Sequence, residues 1–271
     1  MWETIEYKKD CAVATITLNR PKAMNAMNFK MMDELPKALK DAENDRDINV
    51  IVLNHNGPHF GAGYDLKESW SSVYKGDDAV LGARNMLQYC VDYEFAPWNC
   101  TKPVIAMVRG YCLAGSCELA MMCCVTFASD NAQFGEPEIR FSTAPPAMIM
   151  PWIIGLKKSR EILYTGDYLS AEEARECGMV NRVFADDKLE KETYRYARRA
   201  ASISQEGLRT TKAAINRGAE IAGLRNAIDV GIDQGAMLDS TPTEVYVTFN
   251  RITKEEGLSS AIRWRETQFE E

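Results

Sequence analysis

The sequence predicts an α/β domain followed by a helical C-terminal region. Three observations carry that expectation. Apolar, β-branched runs end in turn residues, amphipathic helical patterns lie between them, and the text after Asp186 is almost wholly helix-forming. The strand runs are residues 11–19 (CAVATITLN), 48–57 (INVIVLNHNG) and 102–111 (KPVIAMVRGY). They are apolar on both faces, which is the pattern of buried parallel strands joined by right-handed crossovers. Residues 28–45 place Met31, Met32, Leu35, Ala38 and Leu39 at helical spacing, with Pro36 expected to strain or reset the helix. Further on, Ser170 and Glu173 form a capping box with Gly178 as the stop. Thr241, Pro242 and Glu244 suggest a second helix start. The division expected is a core at 1–200 carrying the active site and a helical region at 201–271 that packs on the core and on neighbouring subunits.

Composition narrows the function classes. The 271 residues are 46% hydrophobic and 26% charged, with a net charge of −7, which argues against a nucleic-acid-binding face. The eight cysteines sit mostly in apolar runs and lack C-x-x-C spacing, so neither a disulfide framework nor a zinc site is expected. Cys123 and Cys124 read as packing residues of a buried helix. The only histidines, His55 and His59, share one turn. The N-terminus has no secretory pattern, and the apolar run 113–125 is too short to span a bilayer. A cytoplasmic protein is expected, with no metal and no membrane or nucleic-acid partner.

Three stretches bear chemistry. In HFGAGYDLKESW (59–70), Gly61 and Gly63 bracket Ala62 after a strand. Such a turn either closes a loop or points backbone N–H groups at a ligand oxygen. The polar stretch 68–80 that follows is a candidate pocket rim. In RGYCLAGSCELAMMCC (109–124), a helix is expected to start near Ser116 or Cys117, with the Gly115 N–H at its positive end and Glu118 in its first turn. Glu118 there either complements the helix dipole or does chemistry. In NAQFGEPEIRFSTAPPAMIMPW (131–152), Glu138 follows a rigid proline and is either an exposed loop acid or a second functional carboxylate.

Taken together with LNRPKAMNAM and LYTGDYLSAEEARECGMVNRVF, these motifs resemble those of the enoyl-CoA hydratase/isomerase (crotonase) superfamily over about residues 10–190. The resemblance implies a spiral of ββα repeats with a C-terminal helical trimerisation region, assembled as a trimer or a dimer of trimers. It implies an acyl-CoA substrate, with coenzyme A as part of that substrate and no separate cofactor. The positions matching the family's oxyanion hole are the backbone N–H groups of Tyr64 and Gly115, and those matching the hydratase acids are Glu118 and Glu138. In such hydratases water adds across the 2,3-double bond of a 2-enoyl-CoA. Glu138 would deliver a proton to C2 and Glu118 would help activate water. Lys22, Ala23, Ala62, Asp65, Leu66 and Lys67 match positions facing the CoA moiety, and Arg263 and Arg265 lie where they would reach toward it. Double-bond isomerase, thioester hydrolase or C–C lyase chemistry on the same scaffold is the alternative. RNA binding is weighed against by the charge.

The sequence departs from the familiar hydratases in three places. Tyr64 stands where they have a small residue, and its ring must either pack under the loop or fill part of the acyl pocket. Pro146 stands where they have a glycine whose N–H lies near the catalytic water, and proline has no N–H. Cys124 replaces an acid. Met148, Met150 and Trp152 follow, as core packing or as a remodelled acyl pocket.

Overall fold

The computed structural model describes residues 2–68 and 78–269. The expected rim at 68–80 falls largely outside them. From its described end, Asp78 accepts from the N–H groups of Val80 and Leu81 and starts a helix.

A six-stranded sheet forms the frame. Its strands are β1 (Ile5–Asp10), β2 (Val13–Leu18), β3 (Val50–His55), β4 (Val104–Val108), β6 (Val125–Ser129) and β9 (Arg182–Phe184), in spatial order β1-β2-β3-β4-β6-β9. Only β1 runs antiparallel to its neighbour, and every other pairing is parallel. A smaller sheet, β5-β7-β8, pairs Tyr111–Leu113 with Gln133–Gly135 and Leu169–Ser170. The chain therefore switches sheets at Gly110, between β4 and β5. A Cβ at Gly110 would meet the Pro58 carbonyl oxygen at 2.3 Å, and its φ is +55°. Only glycine fits that corner without displacing the neighbouring loop.

The helices α1 (Phe29–Asn44), α2 (Ala79–Glu94) and α4 (Gly115–Met121) share the larger apolar core with β1–β4. Helix α7 (Asp186–Ala201) covers the opposite face through Leu189, Ala197 and Ala201, against Val13, Val50, Val52, Ile105, Met107 and Phe127. The expected buried parallel strands are thus covered on both sides. Helices α8 (Gln205–Ile221), α9 (Leu224–Asp239), α10 (Glu244–Glu256) and α11 (Leu258–Glu266) follow. Among the described residues no helix is long and apolar enough to cross a membrane.

Three local expectations need correction. Helix α1 runs unbroken through Pro36, since the proline forfeits one backbone bond and the buried apolar face outweighs it. The cap of α10 is Thr243, whose hydroxyl accepts from the Tyr246 N–H. Thr241 instead donates to the Met237 carbonyl at the end of α9. Cys123 and Cys124 lie beyond α4, and Cys124 is exposed. The Ser170–Glu173 capping box forms as expected and starts α6 (Ala171–Glu176).

Two loops carry the matched motifs, and Asn25 joins them. Asn25 is fully buried with φ +51°, a conformation that asparagine tolerates. Its amide donates to the carbonyls of Asn56 and His59, and its Oδ1 accepts from the Arg20 N–H. We expect Asn25→Ala to strand these buried partners and lower stability by about 3 kcal/mol. The measurement is urea unfolding with an unchanged m-value, and a loss below about 0.5 kcal/mol would contradict the assignment.

Candidate active site

The loop after β3 runs beside the loop before α1. Ala62 donates to the Met24 carbonyl, Met27 to the Gly63 carbonyl and Asp65 to the Met27 carbonyl. The Arg20 guanidinium pairs with the Asp65 carboxylate at 2.8 Å and donates to the Ala26 carbonyl. Residues 20–27 and 61–65 thereby become one rigid shelf, so the positions matched to CoA binding lie together. Their free groups are fewer than expected. The N–H groups of Ala23, Ala62 and Asp65 are all bonded within the shelf. The Ala62 carbonyl, both backbone groups of exposed Leu66, and the exposed ammonium groups of Lys22 and Lys67 have no partner among the described residues. Arg265 is tied by its Nε to the carbonyl of Arg140 in the same chain.

The same loop meets the start of α4. Ser116 accepts from the Gly63 N–H at 3.1 Å, and a Cβ on Gly63 would meet Ala114 Cβ at 2.5 Å and lie 3.6 Å from the Gly115 nitrogen. The two strand-to-helix turns therefore touch backbone to backbone, with Tyr64 and Gly115 on either side of the contact. Helix α4 begins at Gly115 itself, one residue earlier than expected. The Gly115 N–H has no acceptor among the described residues and sits at the positive end of the helix. Ala114 leads into it with φ +55° and ψ −140°, a strained conformation for a residue bearing a Cβ. The Ala114 N–H donates to the Gly135 carbonyl and holds that turn in place.

Glu118 lies one turn further along α4 and is fully buried. Its Oε1 accepts from the Ala147 N–H at 2.6 Å, and its Oε2 has no donor among the described residues. This bears on Pro146. The residue after the proline supplies a backbone donor, and the carboxylate takes it. Glu138 sits in a short 3-10 turn, Pro137–Phe141, with both carboxyl oxygens buried and lacking donors, so it is not an exposed loop acid. Glu136, two residues before it, is equally buried and unpartnered.

Sequence reasoning missed one acid. Glu94, the last residue of α2, is fully buried, and the Tyr64 hydroxyl donates to its Oε1. A Cβ on Gly115 would meet the Tyr64 ring at 2.4 Å and Glu94 Oε1 at 3.0 Å. Both residues therefore press on the glycine that offers its N–H. The ring of Tyr64 packs against Gly115, and its hydroxyl is committed to a carboxyl group. The only sequence hint was an acid at the inner end of an amphipathic helix.

The electrostatics follow from this crowding. Burial pushes the Glu118 carboxyl well above the usual carboxylate range, and Glu94, Glu136 and Glu138 add to the rise. Burial likewise raises Glu138, to about 8, with a contribution from Asp239 at the end of α9. Glu94 is raised to about 8 by burial, against the hydrogen bonds from Tyr64 and Glu118. A low-dielectric site with several carboxyls retains protons at neutral pH. The arrangement can therefore both stabilise an oxyanion at Gly115 and exchange protons a few ångströms away.

Helices of the same chain pack on the segment that follows Glu138. Gly235 of α9 lies against Leu87 of α2 and Ala144 of the 142–149 loop. Phe249 of α10 packs edge-on against Phe141, and Glu266 of α11 pairs with Arg140 at 3.3 Å. Met150 is fully buried core. Met148 and Trp152 instead line an open groove of about 390 Å³ with Pro151, Leu156 and Ala227.

Comparison with known proteins gives the family. Residues 8–245 match the family model described as enoyl-CoA hydratase/isomerase. A probable enoyl-CoA hydratase of Rhizobium meliloti is 38% identical over 83% of this chain and 86% of its own length. The mitochondrial enoyl-CoA hydratase of Pongo abelii is 32% identical over 97% of this chain and 85% of its own. The crystal structure of an enoyl-CoA hydratase/isomerase from Xanthobacter autotrophicus Py2 superposes with a TM-score of 0.94 at 36% identity, covering 100% of both chains. With a shared fold, a family match over most of its length and the two acids beside the Gly115 turn, the chain belongs to the enoyl-CoA hydratase/isomerase family of enzymes.

Proposed function

We propose that the protein is a hydratase that adds water across the 2,3-double bond of a 2-enoyl-CoA to give a 3-hydroxyacyl-CoA. The observation that carries the reading is the meeting of two buried carboxyls, Glu118 and Glu138, beside a backbone N–H, that of Gly115, that has no acceptor among the described residues. An isomerase needs only one acid–base group, so the retained pair favours hydration over isomerisation.

In this reading the thioester carbonyl accepts from the N–H groups of Gly115 and Tyr64. Enolate charge then develops against fixed dipoles, a term worth about 3 kcal/mol per donor. Water lies between Glu118 and Glu138. It gives a proton toward Glu118 as its oxygen bonds to C3, and Glu138 delivers a proton to C2. Glu138 suits the donor role because burial keeps it protonated up to about pH 8. The CoA moiety lies along the shelf. Lys22 and Lys67 offer charge to its phosphates, while Ala62 and Leu66 offer backbone groups. Ala23 and Asp65 shape the shelf rather than donating. Coenzyme A enters as part of the substrate, with no separate cofactor, and the assembly proposed is a homotrimer or a dimer of trimers.

Two measurements test this. With 18O-labelled water and a panel of 2-enoyl-CoAs, mass spectrometry should place the label on C3 of the product. Glu118→Gln and Glu138→Gln should each lower kcat by about 100-fold or more. Label on a free carboxylate, or activity surviving both changes, would overturn hydration.

The second concerns stability. Carboxyls whose folded pKa lies above the unfolded value of about 4.3 bind more protons folded than unfolded between those two values. Stability should therefore fall as pH rises from about 5 to 9, opposite to the behaviour of a salt-bridged acid. Glu118→Gln or Glu138→Gln should flatten that slope by up to about 1.4 kcal/mol per pH unit. Thermal unfolding across this range reads it, and parallel curves for wild type and variants would contradict the protonation assigned.

A further inference from the structure

Glu118 is asked to accept a proton from water, yet it sits where a carboxyl holds its own proton. Its surroundings resolve the conflict. Oε1 accepts from the Ala147 N–H and keeps a second lone pair. Oε2 has no donor among the described residues, and neither has Oε2 of Glu94. Glu94 Oε1 lies against Gly115, one helical turn before Glu118, so the two buried carboxyls are neighbours in one dry cluster and each raises the case for the other keeping a proton. Two such oxygens attract each other only if a proton lies between them. Glu94 is fixed from its other side, since Oε1 accepts from the Tyr64 hydroxyl and lies against Gly115. Tyr64 and Glu118 face Glu94 most closely. Cys90 bonds to Tyr64, and Glu138 lies further off.

We propose that Glu94 is the terminal proton acceptor of the reaction, working through Glu118 as a two-carboxyl relay. As water attacks C3, its O–H bond breaks and a proton joins Oε1 of Glu118. The proton on Oε2 of Glu118 moves in the same event to Oε2 of Glu94. Glu118 is neutral before and after, and the negative charge of Glu94 is cancelled. Glu138 gives its proton to C2. The relay then runs in reverse: Glu94 returns its proton to Oε2 of Glu118, Glu118 releases the proton on Oε1 into the site, and Glu138 regains one, so that only water has been consumed. Glu94 touches no substrate atom in this scheme and is a positioning and relay residue, not a catalytic one. The same pair explains Tyr64, whose hydroxyl occupies Oε1 of Glu94 and leaves Oε2 as the oxygen open to a proton. The inference rests on the hydration reading given above.

The test is Glu94→Gln, which keeps shape and hydrogen bonding but accepts no proton, with Glu94→Asp and Tyr64→Phe beside it. For hydration, Glu94→Gln should lower kcat about 100-fold with KM within threefold. The wild-type rate should rise with pH toward 8 as the pair ionises, and that limb should vanish in Glu94→Gln. Glu94→Asp should restore part of the rate, and Tyr64→Phe should lower kcat about tenfold. A second readout is independent of the reaction. In protein labelled with 13C at glutamate side-chain carboxyls, Glu94→Gln should shift the titration of the Glu118 resonance. A rate within threefold of wild type with an unaltered pH profile, or a Glu118 titration that does not move, would overturn the relay. Should the wild type hydrate no enoyl-CoA, the reaction assignment falls, and the Glu118 titration alone still decides whether the two carboxyls share a proton.

Discussion

Carboxyl groups crowded into a dry interior are the constraint on which the rest of the site depends. Glu94, Glu118 and Glu136 are buried to within one per cent of completely, and the carboxyl oxygens of Glu138 are buried with them. Ionising all of them would be prohibitive, and apolar side chains in their place would pack more cheaply. The protein instead keeps the cluster from ionising as a whole, so that Glu118 holds its proton where Glu94 ionises, with the Ala147 N–H and the Tyr64 hydroxyl as supporting donors. That choice costs stability above neutral pH and holds exchangeable protons beside a helix N-terminus. The neighbouring structure serves to keep these groups apart from solvent and in register.

The frame that does so is the sheet. β4 and β6 end side by side, and the chain leaves β4 through Gly110 into the smaller sheet before turning into α4. Ala114 bears the backbone strain of that turn, held by its bond to Gly135. The Gly115 N–H is thereby fixed before any ligand arrives, which is what electrostatic stabilisation of an enolate requires. Glu138 hangs from the turn just after β7, so the same small sheet sets the spacing of both acids. Helices α10 and α11 brace that turn through Phe249, Glu266 and Arg265.

Much of this was legible in the sequence because it is local. The strand runs, the Gly115–Glu118 spacing and the Pro137–Glu138 turn are each encoded within about a dozen residues, and β2, β3 and β4 fall inside the predicted runs. Thr241 is the expected cap of α10 and Thr243 takes that place, because the outcome turns on which N–H each hydroxyl reaches. Pro36 failed as a helix breaker because burial of Met31, Met32 and Leu35 outweighs one missing bond. Glu94 was illegible for a different reason. Nothing within ten residues of it differs from an ordinary amphipathic helix, and its meaning comes from Tyr64, thirty residues before, and Glu118, twenty-four after.

Tyr64 and Pro146 stood out in the sequence as two separate departures, and the geometry links them. Pro146 removes one backbone donor, and the next N–H, at Ala147, goes to Glu118 rather than to water. A carboxyl restrained in this way at Oε1 can still act on water, provided its other oxygen can pass a proton on. Tyr64 supplies the hydroxyl that occupies Oε1 of Glu94 and leaves Oε2 to receive it. A smaller residue at 64 would leave Oε1 of the buried Glu94 without its donor, a cost of about 1–3 kcal/mol for the stranded group. The tyrosine and the buried acid therefore make sense only as a pair, and the pair makes sense only beside a protonated Glu118.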